Sequence, residues 1–212
     1  MLWSASVLND VLVSLTALLL ILYLNRLLGV APSLLAGFLR WKELVNLEDS
    51  VRLTRDRNAL AGIAVLALSL LMSRYGLLRY AFMDSLSPGL QTLVVLGVLL
   101  AFLLLRAILV YALAPRRGGR ETYMLAQRVL YDFIILAAIV MALTAGLLSV
   151  FGVNTMSVNR VLLYEGGVLY ALFLIRRTQI LLNSCNQFTA FLYLCSLELI
   201  PASLLIASSF VF

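Results

Sequence analysis

The apolar positions of this chain fall into long runs separated by short polar stretches. A membrane-spanning helix needs about 20 mostly apolar residues. Six windows qualify: Val7 to Leu28, Ala59 to Arg74, Pro88 to Ala114, Phe133 to Val153, Val158 to Ile175, and Phe188 to Phe212. The pattern predicts an all-α, polytopic transmembrane helical bundle of about six spans, forming a single domain over residues 1–212. Ser87 and Pro88 read as an N-cap and first helical residue, and Pro115 with Gly118 and Gly119 stops the same helix. The first ten residues hold Asp10 and no Lys or Arg, so the first run reads as an uncleaved span and not as a signal peptide. No internal repeat is visible, which weighs slightly against an inverted-repeat transporter.

The stretch between the first two runs has a different period. Trp41, Leu44, Leu47 and Val51 recur at spacings of three, three and four, which is one face of a helix, with Lys42, Glu43, Asp49 and Arg52 off that face. The segment at about 40–57 reads equally as an interfacial helix on the inner leaflet or as an amphipathic helix packed under the bundle. Leu27 to Leu39, with Pro32 inside it, is apolar but too short to span; a re-entrant or interfacial stretch is expected there.

Composition narrows the class. Apolar residues make up 63% and charged residues 12% of the 212 positions, against about 45–50% and 25% in soluble domains. A water-soluble domain of this size has too little interior for that load, so a soluble enzyme, a nucleic-acid module and a disordered chain are excluded.

The net charge of +6 comes from fifteen arginines and Lys42 against ten acids. Twelve basic residues fall in the first, third and fifth connections; only Arg74, Arg79 and Arg160 fall on the other side, and Arg106 lies inside a run. The positive-inside rule then puts both termini on the non-cytoplasmic side. The basic excess reads as a topology signal and not as a nucleic-acid surface.

The chain has no histidine, which removes His-ligated metal and haem and every His-based catalytic pair. Cys185 and Cys195 form no Cys-x-x-Cys, and ten helical residues separate them by about 15 Å, too far for a disulfide. There is no phosphate-binding glycine loop and no nucleophile elbow. The expectation is a non-enzyme with no cofactor and no metal.

Charges inside spans are the candidates for function, because each costs about 2.5–3.5 kcal/mol at mid-membrane. Arg106, Glu165 and Glu198 fall at similar depths, about 12–15 Å from their cytoplasmic helix ends, and are expected to form a midplane polar cluster. If Arg106 pairs with one glutamate, the other lacks a cation, and burial then favours its protonated form. The same residues serve equally as structural hydrogen bonds between helices, and Arg106 can instead snorkel to the inner headgroups.

Pro201 has no N–H, so the carbonyl of Leu197 loses its helical donor and the last helix should kink or loosen beside Glu198. Such a turn serves either an ion or substrate site or ordinary packing. Arg128 and Asp132, four apart, read as an interfacial pair. Gly166 with Gly167, Ala138-Ala142-Gly146, and Ser203 with Ala207 mark close helix contacts, within the bundle or with a partner.

The stretch Phe191 to Pro201, Phe-Leu-Tyr-Leu-Cys-Ser-Leu-Glu-Leu-Ile-Pro, resembles the closing signature of an uncharacterised integral-membrane family of Bacteroidota, typically Leu-Tyr-Leu-Cys-Thr-Leu-Glu-Ile-Leu-Pro. Leu192, Tyr193, Leu194, Cys195, Leu197, Glu198 and Pro201 match; Ser196, the Leu199-Ile200 order and Ala202-Ser203 depart from it. The preceding Tyr-rich run ending in Arg176 and Arg177 is similar in layout, and the N-terminal half has no counterpart. The resemblance implies an inner-membrane protein of a diderm bacterium and marks Cys195, Glu198 and Pro201 as a helix-kink unit. It implies no activity; members of the family lie near genes for tetrapyrrole synthesis and membrane-protein insertion.

The reading reached from sequence is a multi-pass inner-membrane protein in the lipid bilayer. It is expected to act as a non-catalytic subunit or assembly factor of a membrane complex, with a membrane-protein partner or a second copy of itself. The alternative is a small proton-coupled carrier or channel using Glu198, Glu165 and Arg106.

Overall fold

The second apolar run becomes the central helix because it is the one richest in small side chains. In the computed structural model, which describes residues 6–39, 51–78, 81–113, 120–184, 191–192 and 194–203, every element is helical. The helices are α1 (Val7–Leu39), α2 (Val51–Tyr75), α3 (Pro88–Leu113), α4 (Arg120–Val150) and α5 (Thr155–Ser184). A short 3-10 turn (Ala81–Ser85) precedes α3, and a π-helical turn (Cys195–Leu199) interrupts the helical segment near the C-terminal end.

Helix α2 packs against α1, α3 and α4, and α4 packs against α5. Ala61, Ala64 and Ser69 of α2 are buried, and short side chains of this kind let neighbouring backbones approach. The main core joins Leu60, Ala64 and Leu68 of α2 to Ile135, Ala138 and Met141 of α4 and to Leu162 of α5.

Five helices are long and apolar enough to cross a membrane, and their outer faces carry exposed Leu, Val and Ile in quantity. The protein is therefore a multi-pass helical membrane protein. Of the sixth expected span, Phe188 to Phe212, the structure describes residues 191–192 and 194–203, which are helical.

Several boundaries differ from the sequence expectation. Leu27 to Leu39 is not a separate element: it continues α1 through Pro32, beyond the apolar span Val7–Val30. Trp41, Leu44 and Leu47 lie outside the described residues, and Val51 opens α2, so the end of the expected 40–57 segment belongs to that helix. Helix α4 begins at Arg120, well before Phe133, and α5 runs on past Arg176 and Arg177 to Ser184. The reason is shared: Arg, Glu, Gln, Leu and Met are good helix formers, so hydropathy ends before the helix does.

Local chemistry sets the turns. α3 starts at Pro88, directly after Ser87, as expected. Helices α2 and α4 both end on glycines with positive φ, Gly76 (65°) and Gly152 (68°). The following amides, Leu77 and Val153, reach back to Met72 and Leu148 at 3.0 and 3.1 Å, the bonding of a Schellman cap. Asn154 then accepts from the Met156 amide at the start of α5, 3.4 Å.

Buried hydroxyls are satisfied locally, as hydrocarbon surroundings require. Thr16 and Thr178 each donate to the carbonyl four residues back, and the Thr144 hydroxyl lies between two acceptors, the Val140 carbonyl and Glu165 Oε1. At the end of the bundle where α3 begins, Asn9, Ser73 and Thr92 join α1, α2 and α3 through 2.8 Å contacts. Gly89 allows this approach, since a Cβ there would meet the Ser6 hydroxyl at 2.7 Å and Leu8 at 3.0 Å.

Candidate functional site

Pro201 determines the local geometry of the site. Its missing N–H and its ring both conflict with a regular turn around Leu197. The chain answers by widening: the Ile200 amide bonds the Cys195 carbonyl, five residues back instead of four, which makes Cys195–Leu199 a π turn. Pro201 is buried, and Cys195 contributes its backbone carbonyl while its thiol stays free and partly exposed. Glu198 sits inside this turn, buried, and its carbonyl accepts from the Tyr170 hydroxyl at 3.2 Å.

Arg106 of α3 meets the Glu198 carboxylate through two donors on one oxygen, Nε at 2.9 Å and Nη2 at 2.5 Å to Oε1. Arg177 of α5 forms a second ion pair with the same oxygen. All three side chains are 2% exposed or less. Phe173 lies beside both guanidiniums, 5.8 Å from Arg106 and 6.0 Å from Arg177 to the ring centroid, in cation–π range. The ring is itself fixed edge-on by Phe133 of α4, with centroids 5.2 Å apart. Tyr170, Phe173 and Arg177 share one face of α5 because their spacings are three and four.

Sequence reasoning and structure agree on one pair and part on the rest. Arg106 and Glu198 come together. Glu165 does not join them: it lies 12 residues from Arg177 along α5, about 18 Å of rise. Its Oε1 instead takes the Thr144 hydroxyl of α4 at 2.8 Å.

The third member is Arg177, which charge counting assigns to a cytoplasmic connection. The available signal was the Tyr170-Phe173-Arg177 spacing, which aligns the arginine with two aromatics on a helix that had not yet ended. Asp132 pairs across helices with Arg57 of α2 at 3.7 Å; the side chain of Arg128, its expected partner, lies outside the described residues.

The small-residue stripes also divide. Ala138 is buried in the core and Gly166 touches Met141, whereas Ala142, Gly146 and Gly167 face outward. A Cβ added at Gly97, Gly146 or Gly167 would meet nothing within 4 Å. Ser203 is helical, and Ala207 lies outside the described residues.

No protein family, curated protein or solved structure matches the chain. The site is therefore read from its own chemistry. Two guanidiniums beside one carboxylate leave a local charge of +1. Such a cluster repels a metal cation and suits an anion. Among the described residues, no group of three His, Cys, Asp or Glu side chains gathers to hold a metal ion. As a structural device the cluster joins α3, α5 and the C-terminal segment at one point.

Proposed function

We propose that this multi-pass membrane protein is a non-catalytic subunit or assembly factor of a membrane complex, its arginine-rich helix ends toward the cytoplasm. The observation that carries this reading is the double clamp on Glu198. Freeing that carboxylate would strand two buried guanidiniums, so it serves as a tie between three elements and not as a moving proton carrier. The outward glycines give secondary support, because close-approach positions left unused within the chain suit contact with another membrane helix. The resemblance of Phe191 to Pro201 to an inner-membrane family of Bacteroidota belongs to the same proposal.

The test is purification from native membranes in mild detergent. A partner, or a second copy of the chain, is expected to co-elute at fixed stoichiometry. Gly146→Leu and Gly167→Leu are expected to reduce that recovery while leaving the chain's own thermal stability unchanged. A protein that runs alone, or a partner indifferent to both substitutions, overturns the reading.

A second reading, a small proton-coupled carrier, is favoured by one observation at Glu165. Its Oε2 is buried with no hydrogen-bond partner while Oε1 rests on Thr144. Proteoliposomes under an imposed pH gradient should then equilibrate faster than empty vesicles, and Glu165→Gln should return them to the empty-vesicle rate. Wild-type vesicles no faster than empty ones would end this reading.

A further inference from the structure

We infer that the Arg106–Glu198–Arg177 cluster holds a phosphate group, enclosed beside the second guanidinium as a resident ligand. The first argument is charge. Two cations face one carboxylate in a low-dielectric interior, and an uncompensated buried charge is far more costly than a paired one. Phe173 offsets this only in part, since an aromatic face carries a quadrupole and no net charge.

The second argument is the inventory of donors. Arg106 Nη1 and Arg177 Nε are buried and have no hydrogen-bond partner among the described residues. Both donor ions of the cluster thus keep an N–H-bearing nitrogen unused after Glu198 is bound. Buried polar groups are rarely left so. Among the described residues, the other acids whose side chains pack between helices are committed elsewhere: Asp56 to Arg26, Asp132 to Arg57 and Glu165 to Thr144. A tetrahedral oxyanion, with several acceptors in different directions, can serve two guanidiniums at once.

The third argument is depth. Arg106 and Arg177 each lie seven residues from the C-terminal ends of α3 and α5, about 10 Å inward. Helix α5 has 30 residues and spans about 45 Å, the full bilayer with headgroups, around a hydrocarbon core of about 30 Å. Arg177 therefore falls near the edge of the hydrocarbon, within a side chain's reach of the phosphate layer. The same chemistry is offered by a phospholipid headgroup and by a soluble phosphate.

The experiment is phosphorus analysis of the full chain, purified from native membranes in mild detergent and washed until its phosphorus content is constant. One phosphorus atom per chain is expected to remain, or two if the lipid carries two phosphates. Native mass spectrometry should show the matching adduct. Arg177→Gln should lower its occupancy at least tenfold. Where that variant fails to fold, Arg177→Lys keeps the charge but loses the Nε donor and should lower occupancy several-fold. Chloroform–methanol extraction separates the sources: phosphorus in the organic phase identifies a lipid headgroup, and phosphorus in the aqueous phase a soluble phosphate. A washed wild-type chain free of phosphorus overturns the inference, as does an occupancy that neither Arg177 variant changes. Both results are independent of whether a protein partner co-elutes.

Discussion

Replacing Glu198 with glutamine is expected to destabilise the protein by about 3–5 kcal/mol, the cost of removing one partner from a buried ion pair, and to do so more severely than removing either arginine. The argument is one of charge balance. Among the described residues, Glu198 is the single carboxylate between Arg106 and Arg177. Its loss leaves two buried cations with no carboxylate beside them, whether or not a phosphate is also held. Loss of Arg177, as in Arg177→Met, leaves Arg106 and Glu198 as a neutral pair with both hydrogen bonds intact.

Thermal unfolding in detergent, followed by size-exclusion profile, ranks the three single variants. Replacing all three residues together with apolar ones (Arg106→Met, Arg177→Met, Glu198→Leu) should recover much of the loss, since buried ion pairs are often replaceable by packed apolar groups. A Glu198→Gln protein no less stable than Arg177→Met would show that the second arginine is not part of the tie.

Phe173→Ala is expected to cost about 3–5 kcal/mol, as for other large-to-small changes in a core. Part of this loss is cavity and part is the ring face beside the guanidiniums. Phe173→Leu isolates the second part, because it keeps much of the apolar volume and removes the π system. Two desolvated cation–π contacts at about 1–2 kcal/mol each give roughly 2–4 kcal/mol for that change beyond its packing loss. A double-mutant cycle between Phe173→Leu and Arg177→Met measures the Arg177 share directly. The coupling should be about 1–2 kcal/mol. Strict additivity would reduce Phe173 to apolar filling between Phe133 and Tyr170.

These expectations rest on a site that was half visible in the sequence. Arg106 and Glu198 stand out because a charge within a long apolar run is costly and invites a partner. Pro201 announces the loosened turn because a residue without an N–H cannot complete a helical ladder. The resulting π turn, with Ile200 bonded to Cys195, is the structural form of that expectation. Depth counting also made Glu165 a candidate, but it counted from a helix end at Ile175, and α5 runs nine residues further to Ser184, so Glu165 lies at a different level from the cluster. Twelve residues of rise separate it from Arg177, and its nearest polar neighbour is Thr144 on α4.

By itself, the sequence determined the class of the protein and most of its elements. A chain with 63% apolar residues in runs of about 20 has no soluble fold open to it, and hydropathy locates a helix wherever it faces lipid. What only the tertiary structure decided is where helices outlast their apolar runs and which polar groups meet. Arg177 reads as a loop charge until α5 is seen to carry it onto the face of Phe173, and the pairing of Asp132 with Arg57 appears only once α2 is packed against α4. The physical reason is that hydropathy reports the contact between one helix and its solvent. Pairing of buried charges depends on the rotation and crossing of several helices at once, and that information lies in no single segment.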